Sequence, residues 1–226
     1  MIDKIAPSLA AAVAGIGDGA TVLVSGFGGS GIPDALLEAL LAQGARDLII
    51  VNNNAGNGDT GIAALIRAGR VRKVICSHPR STNAEAFIDA YRAGKVALEC
   101  VPQGMLVERL RAAGAGFGPF FTPTAYGTAL AEGKESRVID GVGYVLEQPL
   151  RGDFALIKAH RADRWGNLTY RYAGRNFGPV MCTAARHTIV QVDEVVPLGD
   201  MPPESVMTPG IFVQAVALAE GELHAA

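Results

Sequence analysis

Residues 21–40 read TVLVSGFGGSGIPDALLEAL, and the fold follows from how this stretch is parsed. Thr21-Val22-Leu23-Val24 is a short apolar run rich in β-branched residues, which predicts a strand. Pro33, then Asp34 with Leu36, Leu37 and Leu40, predicts a helix over Asp34–Ala42, with proline at its first position. Between them, Gly26-x-Gly28-x-x-Gly31 makes a strand-to-helix turn. Such a turn gathers main-chain N–H groups at the positive end of a helix, where an anion is stabilised. Turn chemistry alone would also place glycines here, because they admit positive φ.

Working outward, the alternation repeats. Ile5, Leu9, Val13 and Ile16 recur at helical spacing before the first strand and predict a helix ending at Gly17. Strand 47–52 (DLIIVN), helix 60–68, strand 71–76 (VRKVIC), helix 83–93, strand 96–100 (VALEC) and helix 103–113 follow. A βαβαβ series implies an α/β fold with a mostly parallel sheet flanked by helices on both faces. Residues 114–128 (GAGFGPFFTPTAYGT) hold four glycines and two prolines, too many for a regular element. Beyond 137, runs such as RVIDG, VGYVLEQPL, DFALIKAHRA, NLTYR and TIVQVDEVV predict that the sheet gains additional, partly antiparallel strands in the C-terminal half. Residues 205–219 are expected to form a last strand-turn-helix unit. The expectation is a single domain over 1–226, with its core at about 3–218.

The chain has 226 residues, of which 49% are hydrophobic. Its 20 basic and 22 acidic side chains give a net charge of −2, which provides no footprint for nucleic acid or an anionic membrane. No stretch is apolar for the roughly 18 residues that a membrane span needs. The alanine-rich start carries Asp3 beside Lys4 and reads as an amphipathic helix rather than a signal peptide. Cys76, Cys100 and Cys182 lie among apolar residues without metal-ligand spacing, so they are expected to be buried, reduced thiols. A cytoplasmic protein without a metal is the expectation.

A dinucleotide site needs a carboxylate at the end of the second strand. Here Asn52-Asn53-Asn54 stands instead, three neutral amides suited to carbonyls or a carboxylate. Ser30 does not complete a G-x-S-x-G elbow, and nothing in the sequence ties His78, His160 or His187 to it. The histidines are expected to be structural.

Several ordered motifs carry a family resemblance. They are Asp18-Gly19 through Pro33, with Ser25 where a glycine is usual; Asn53-Asn54-Ala55-Gly56; Val101-Pro102-Gln103-Gly104 with Glu108-Arg109; and the aromatic loop Pro119–Thr128. Ala162–Arg171 and Gly174–Pro179 complete the set. Together, over residues 3 to 216, they resemble family I coenzyme A transferases, and most of all the α subunits of members that move CoA from succinyl-CoA to 3-oxoadipate. Acetoacetate is the alternative acceptor, and a noncatalytic CoA- or metabolite-binding module is the rival reading.

The resemblance implies a covalent route. A glutamate carboxylate attacks the acyl-CoA carbonyl, the tetrahedral oxyanion collapses to an acyl-glutamyl anhydride, and the released CoA thiolate attacks that anhydride to give a glutamyl-CoA thioester. The acceptor carboxylate then reverses the sequence. The nucleophile belongs to a Glu-Asn-Gly motif of the family's β portion, and no Glu-Asn-Gly occurs in this chain. The implied partner is therefore a β subunit, in a heterodimer or α2β2 assembly, with CoA as substrate and no permanently bound cofactor.

By the same resemblance, Gln103 is the side-chain donor to the oxyanion, with a helix-capping amide as its alternative, and Gly104 leaves room for the thioester. Asn53 and Asn54 bind the acyl carboxylate or CoA, with an Asx-turn as their alternative. Ser25, Gly26, Phe27, Gly28, Gly29, Ser30 and Gly31 form a turn facing CoA. Arg175, Asn176 and Phe177 are expected to be structural beneath the site. Phe120, Phe121 and Tyr126 are expected to meet the partner or line the acyl channel. Glu108 is expected on a solvated helix face.

Overall fold

The computed structural model describes residues 2–219. In chain order, the first half comprises α1 (Leu9–Val13), β1 (Thr21–Val24), α2 (Asp34–Gln43), β2 (Leu48–Val51), α3 (Gly61–Arg67), β3 (Val71–Cys76), α4 (Glu85–Arg92), β4 (Ala97–Cys100) and α5 (Gln103–Ala115). The second half comprises β5 (Phe120–Thr122), β6 (Ser136–Ile139), β7 (Val142–Glu147), β8 (Gly152–Lys158), β9 (Arg161–Ala162), β10 (Leu168–Thr169), α6 (Gly178–Ala184), β11 (Ala185–Val192), β12 (Glu194–Val195) and β13 (Ala215–Leu218).

Strand β1 lies at the centre of a seven-stranded sheet of order β13-β11-β8-β1-β2-β3-β4. Each neighbouring pair in it is parallel. Because side chains alternate across a strand, β1 sends Val22 and Val24 into the layer formed with α1 to α4, and Leu23 into the layer formed with α5 and α6. Burial on both faces explains why the strands read as continuous apolar runs. On α5, Met105, Leu106, Leu110 and Ala113 form the buried stripe. Fully burying one such leucine contributes about 1.5–3 kcal/mol.

The α/β class and the parallel sheet with helices on both faces stand as expected, and the antiparallel strands lie in the second half. They do not extend the main sheet, however. β5, β7 and β6 make an antiparallel sheet of their own, and β10, β9 and β12 make another small sheet. The strands that the second half adds to the main sheet, β8, β11 and β13, are parallel.

Four local expectations are corrected. Ile5 is not helical: it is extended and pairs with Val216, so the first helix begins only after Ser8, whose hydroxyl caps Ala11 N–H at 3.1 Å. Residues 114–128 contain the regular strand β5, which β7 holds in register. Residues 205–219 end in β13 rather than a helix, because β11 offers a free parallel edge. Cys100 is exposed, unlike Cys76 and Cys182, because β4 is the sheet's edge strand.

A chain of charges fastens the β5-β7-β6 sheet to the core. Lys73 Nζ meets Glu99 at 2.5 Å, Glu99 accepts from Arg109 Nη1 at 2.7 Å, Arg109 Nε lies 3.8 Å from Glu147, and Glu147 accepts from Lys134 at 2.6 Å. Arg109 Nε also donates to the Gln148 carbonyl at 2.8 Å. Burial pushes the Glu99 carboxyl up, but hydrogen bonds and charge from Lys73 and Arg109 outweigh it and hold the group below its ordinary value. A depressed folded-state pKa stabilises the fold above the unfolded value of about 4.3, and that contribution is lost as pH falls through the lower folded value. The urea midpoint of wild type should therefore exceed that of Glu99→Gln by a constant margin above about pH 5, and the margin should shrink on acidification. Parallel pH profiles for the two proteins would contradict this account.

Candidate active site

The carboxyl ends of β1 to β4 converge on one edge of the sheet, and polar residues follow the strands there. After β2 come Asn52, Asn53 and Asn54; after β3, Ser77 and His78; after β4, Val101 and Pro102 lead into Gln103, the first residue of α5. Gln103 Nε2 donates to Asn53 Oδ1 at 2.6 Å. Asn53 is 5% exposed, and its carbonyl accepts from the N–H groups of Ser77 at 3.2 Å and His78 at 2.9 Å. A carboxamide nitrogen carries two hydrogens. One is fixed by Asn53, so the amide plane is set and the second hydrogen remains to donate.

The two neighbouring asparagines build the loop. Asn52 is fully buried and donates to the carbonyls of Val24 and Ser25, tying β2 to the start of the glycine turn. It also accepts from Asn54 N–H, and Asn54 Oδ1 accepts from Gly56 N–H at 2.9 Å. That is the Asx-turn named as the alternative for Asn54.

The glycine turn is a tight hairpin whose ends are exchanged bonds. Phe27 N–H donates to the Ser30 carbonyl and Ser30 N–H to the Phe27 carbonyl, both at 3.0 Å. Gly28 and Gly29 form an open tip, while Phe27 is 50% exposed. Ser25 is buried; its hydroxyl donates to the Gly31 carbonyl at 2.7 Å and accepts from Lys158 N–H at 3.0 Å. Gly31 has φ +74°, and a Cβ there would lie 2.5 Å from the Gly174 carbonyl oxygen. Only glycine fits that conformation and that approach.

Asn176 clamps the turn from the other side. Its Oδ1 accepts from Gly26 N–H at 3.1 Å and Phe177 N–H at 2.7 Å, while its Nδ2 donates to the Ser30 carbonyl at 3.0 Å and the Ala173 carbonyl at 2.7 Å.

Two cavities share Phe27 and Gln103. One, of about 450 Å³, is walled by polar groups that include Asn53, Asn57, Ser77, His78 and Ser81. Ser77 Oγ is buried there without a hydrogen-bond partner among the described residues. The other, of about 690 Å³, is a groove between α5 and α6 lined by Gly104, Val107, Phe177 and Val180 together with Arg111 and Arg175. A side chain at Gly104 would meet nothing within 4 Å, so the wall at that point is open. Among the described residues, no Asp or Glu lines either cavity.

Nor does a thiol supply a nucleophile. Burial, with Cys100 nearby, pushes Cys76 up to about 12, and burial pushes Cys182 up to about 12. The described residues contain no cluster of three or more His, Cys, Asp or Glu side chains able to hold a metal. Chemically, the site can polarise a carbonyl and bind an anion, but its described residues offer no carboxylate to attack one.

Gln103, Gly104, Asn53, Asn54 and the turn from Ser25 to Gly31 all lie at this edge. The hydroxyl of Ser25 and the carboxamide oxygen of Asn54 face inward to structural partners. Arg175 and Phe177, expected beneath the site, line the groove itself, and His78 lines the polar cavity. His160 faces Asp193, while His187 stacks edge-on against Phe154. Phe120 and Phe121 line a separate cavity across α5, and Tyr126 lies over Gly143. Glu108 is on the exposed face of α5, paired with Arg111 at 3.2 Å. Asn176, also expected beneath the site, holds the turn directly, and no local pattern announces a clamp made across 150 residues.

A model of the coenzyme A transferase family matches residues 6–219. The chain is 61% identical over 221 residues to one of the subunits of 3-oxoadipate CoA-transferase from Pseudomonas putida, covering 98% of this chain and 96% of the relative. It is 39% identical over 219 residues to the corresponding subunit of succinyl-CoA:3-ketoacid coenzyme A transferase from Helicobacter pylori, covering 97% and 94%. The crystal structure of glutaconate coenzyme A-transferase from Acidaminococcus fermentans superposes with a TM-score of 0.85 at 23% identity, covering 95% of this chain and 75% of that one. With its parallel sheet, its glycine turn and a match across nearly its whole length, the chain belongs to the coenzyme A transferase family.

Proposed function

We propose that this chain is the α subunit of a two-chain enzyme that moves CoA from succinyl-CoA to 3-oxoadipate, with acetoacetate as the second choice of acceptor. The partner is a β subunit that brings the nucleophilic glutamate, the assembly is a heterodimer or α2β2, and the setting is the cytoplasm. CoA is a substrate, and no cofactor stays bound. The observation that carries the reading is the Gln103 amide, oriented by Asn53 at 2.6 Å between cavities that no described carboxylate lines.

In this reading the partner's carboxylate attacks the thioester carbonyl, and the free Gln103 N–H donates to the oxyanion that forms. The oxyanion appears in each addition step, so one preorganised donor serves them all. Asn53 holds the amide at its angle. The turn from Ser25 to Gly31 and Asn54 shape the wall that CoA passes, and Gly104 leaves the approach clear. A neutral amide suits this place because it neither competes as a base nor pairs with the incoming carboxylate.

Co-expression with the β chain tests the reading. The assembled pair should convert succinyl-CoA and 3-oxoadipate to succinate and 3-oxoadipyl-CoA, and each chain alone should not. Mass spectrometry after acyl-CoA treatment should find CoA added to the partner chain. Full-rate transfer by this chain alone would overturn the division of labour, and binding of CoA without turnover by the pair would favour a noncatalytic module.

A further inference from the structure

The groove between α5 and α6 differs in chemistry from the polar cavity beside it. Helices α5 and α6 pack on the same face of the sheet, and Gly114 closes against Thr183 near their C-terminal ends, where a Cβ on Gly114 would lie 2.3 Å from Thr183 Oγ1. Their N-terminal ends therefore sit together, with Gln103 and Gly104 on one and Arg175, Asn176 and Phe177 leading into the other. The wall is chiefly apolar, and its ionised groups are two arginines. Arg111 is engaged with Glu108, whereas the Arg175 guanidinium has no hydrogen bond or ion pair among the described residues. Arg175 is exposed and follows a short turn whose next residue, Asn176, is fixed by four hydrogen bonds.

An apolar channel with a carbonyl-polarising amide and one uncommitted guanidinium at the same end fits a short acyl chain that ends in a carboxylate. A guanidinium binds a carboxylate through two parallel N–H bonds, which fixes orientation as well as charge. The neighbouring cavity, built from amides, hydroxyls and one histidine, has no fixed cation for that purpose.

We propose that Arg175 is the specificity-determining residue of the groove and binds the distal carboxylate of a four- to six-carbon dicarboxylic acyl group while Gln103 meets the reacting carbonyl. This rests on the transferase reading above and deepens it, because it explains how one site accepts both succinyl and 3-oxoadipyl groups and disfavours acyl groups without a second charge. A site built to pair a substrate charge rejects the analogue that leaves its own group unmatched.

The test uses the assembled α and β chains. In Arg175→Gln the KM for 3-oxoadipate and the inhibition constant of succinate should each rise by about 10- to 100-fold, the range expected for a lost charge-assisted bond. Inhibition by free CoA should stay within about 3-fold of wild type, and Arg175→Lys should recover most of the dicarboxylate binding. An equal loss for free CoA would assign the groove to CoA and overturn the proposal, as would unchanged constants for both dicarboxylates. Wild-type assembly that transfers no CoA would remove the transferase reading and this inference together, whereas active wild type with an unaltered Arg175→Gln variant would remove only the inference.

Discussion

Gln103→Ala should lower kcat of the assembled enzyme by about 10²- to 10³-fold, the loss seen when one oxyanion donor is removed. The KM for succinyl-CoA should change by no more than about 3-fold, since the bond in question is stronger in the transition state than in the ground state. Gln103 begins α5 without capping it, and the partner of its side chain among the described residues is Asn53 Oδ1, so its loss leaves the helix and the strand ends in place. Co-purification of both chains and an unchanged thermal midpoint should accompany the fall in rate. A variant that turns over at the wild-type rate would remove this amide from the chemistry. Side-chain capping, the alternative drawn from the sequence, is already absent from the structure: α5 has no side-chain cap bond.

The second large effect concerns stability. Arg109→Met should destabilise the chain by about 3 kcal/mol, the lower end of the range for breaking a buried ion pair. The side chain of Glu147 is 3% exposed and that of Arg109 10% exposed, so removing the guanidinium strands charge in the protein interior. Lys134 and Lys73 still pair with Glu147 and Glu99, which is why the lower end applies. For a chain of this size the thermal midpoint should fall by roughly 6–12 °C. Because Arg109 Nε also holds the Gln148 carbonyl, proteolysis should become faster first between residues 119 and 150, where the small sheet joins the core. A loss below about 1 kcal/mol by urea titration would show that the ion chain is solvated and energetically slight.

Much of the fold was legible because parallel strands buried on both faces leave a strong local signature. Local pattern places β3 at its observed bounds, and β1 and β2 to within about a residue. What has no local signature depends on distant pairing. Ile5 has the periodicity of a helix, yet the edge of β13, more than 200 residues away, claims it as a strand. β5 lies within glycine- and proline-rich sequence and exists because β7 supplies its hydrogen bonds.

The candidate site shows the same divide. Gln103, Asn53 and the glycine turn were legible through motif spacing. The bond that joins Gln103 to Asn53 spans 50 residues, and the clamp from Asn176 to the turn spans 150, so neither has a local trace. Ser25 illustrates the limit of reading one position at a time: its hydroxyl closes the turn onto β8 through Gly31 and Lys158.

The strand order has a consequence for how the polypeptide is made. β1 emerges from the ribosome well before β8, which pairs Val22 with Phe154, so one side of the central strand stays unsatisfied until more than 130 further residues have been synthesised. Loop closure over such a span is slow, and an apolar strand with an open edge is prone to join the wrong chain. Nascent chains halted before residue 152 should therefore engage holding chaperones, and the synthesis of β8 and the strands after it is the interval in which the protein becomes safe from aggregation.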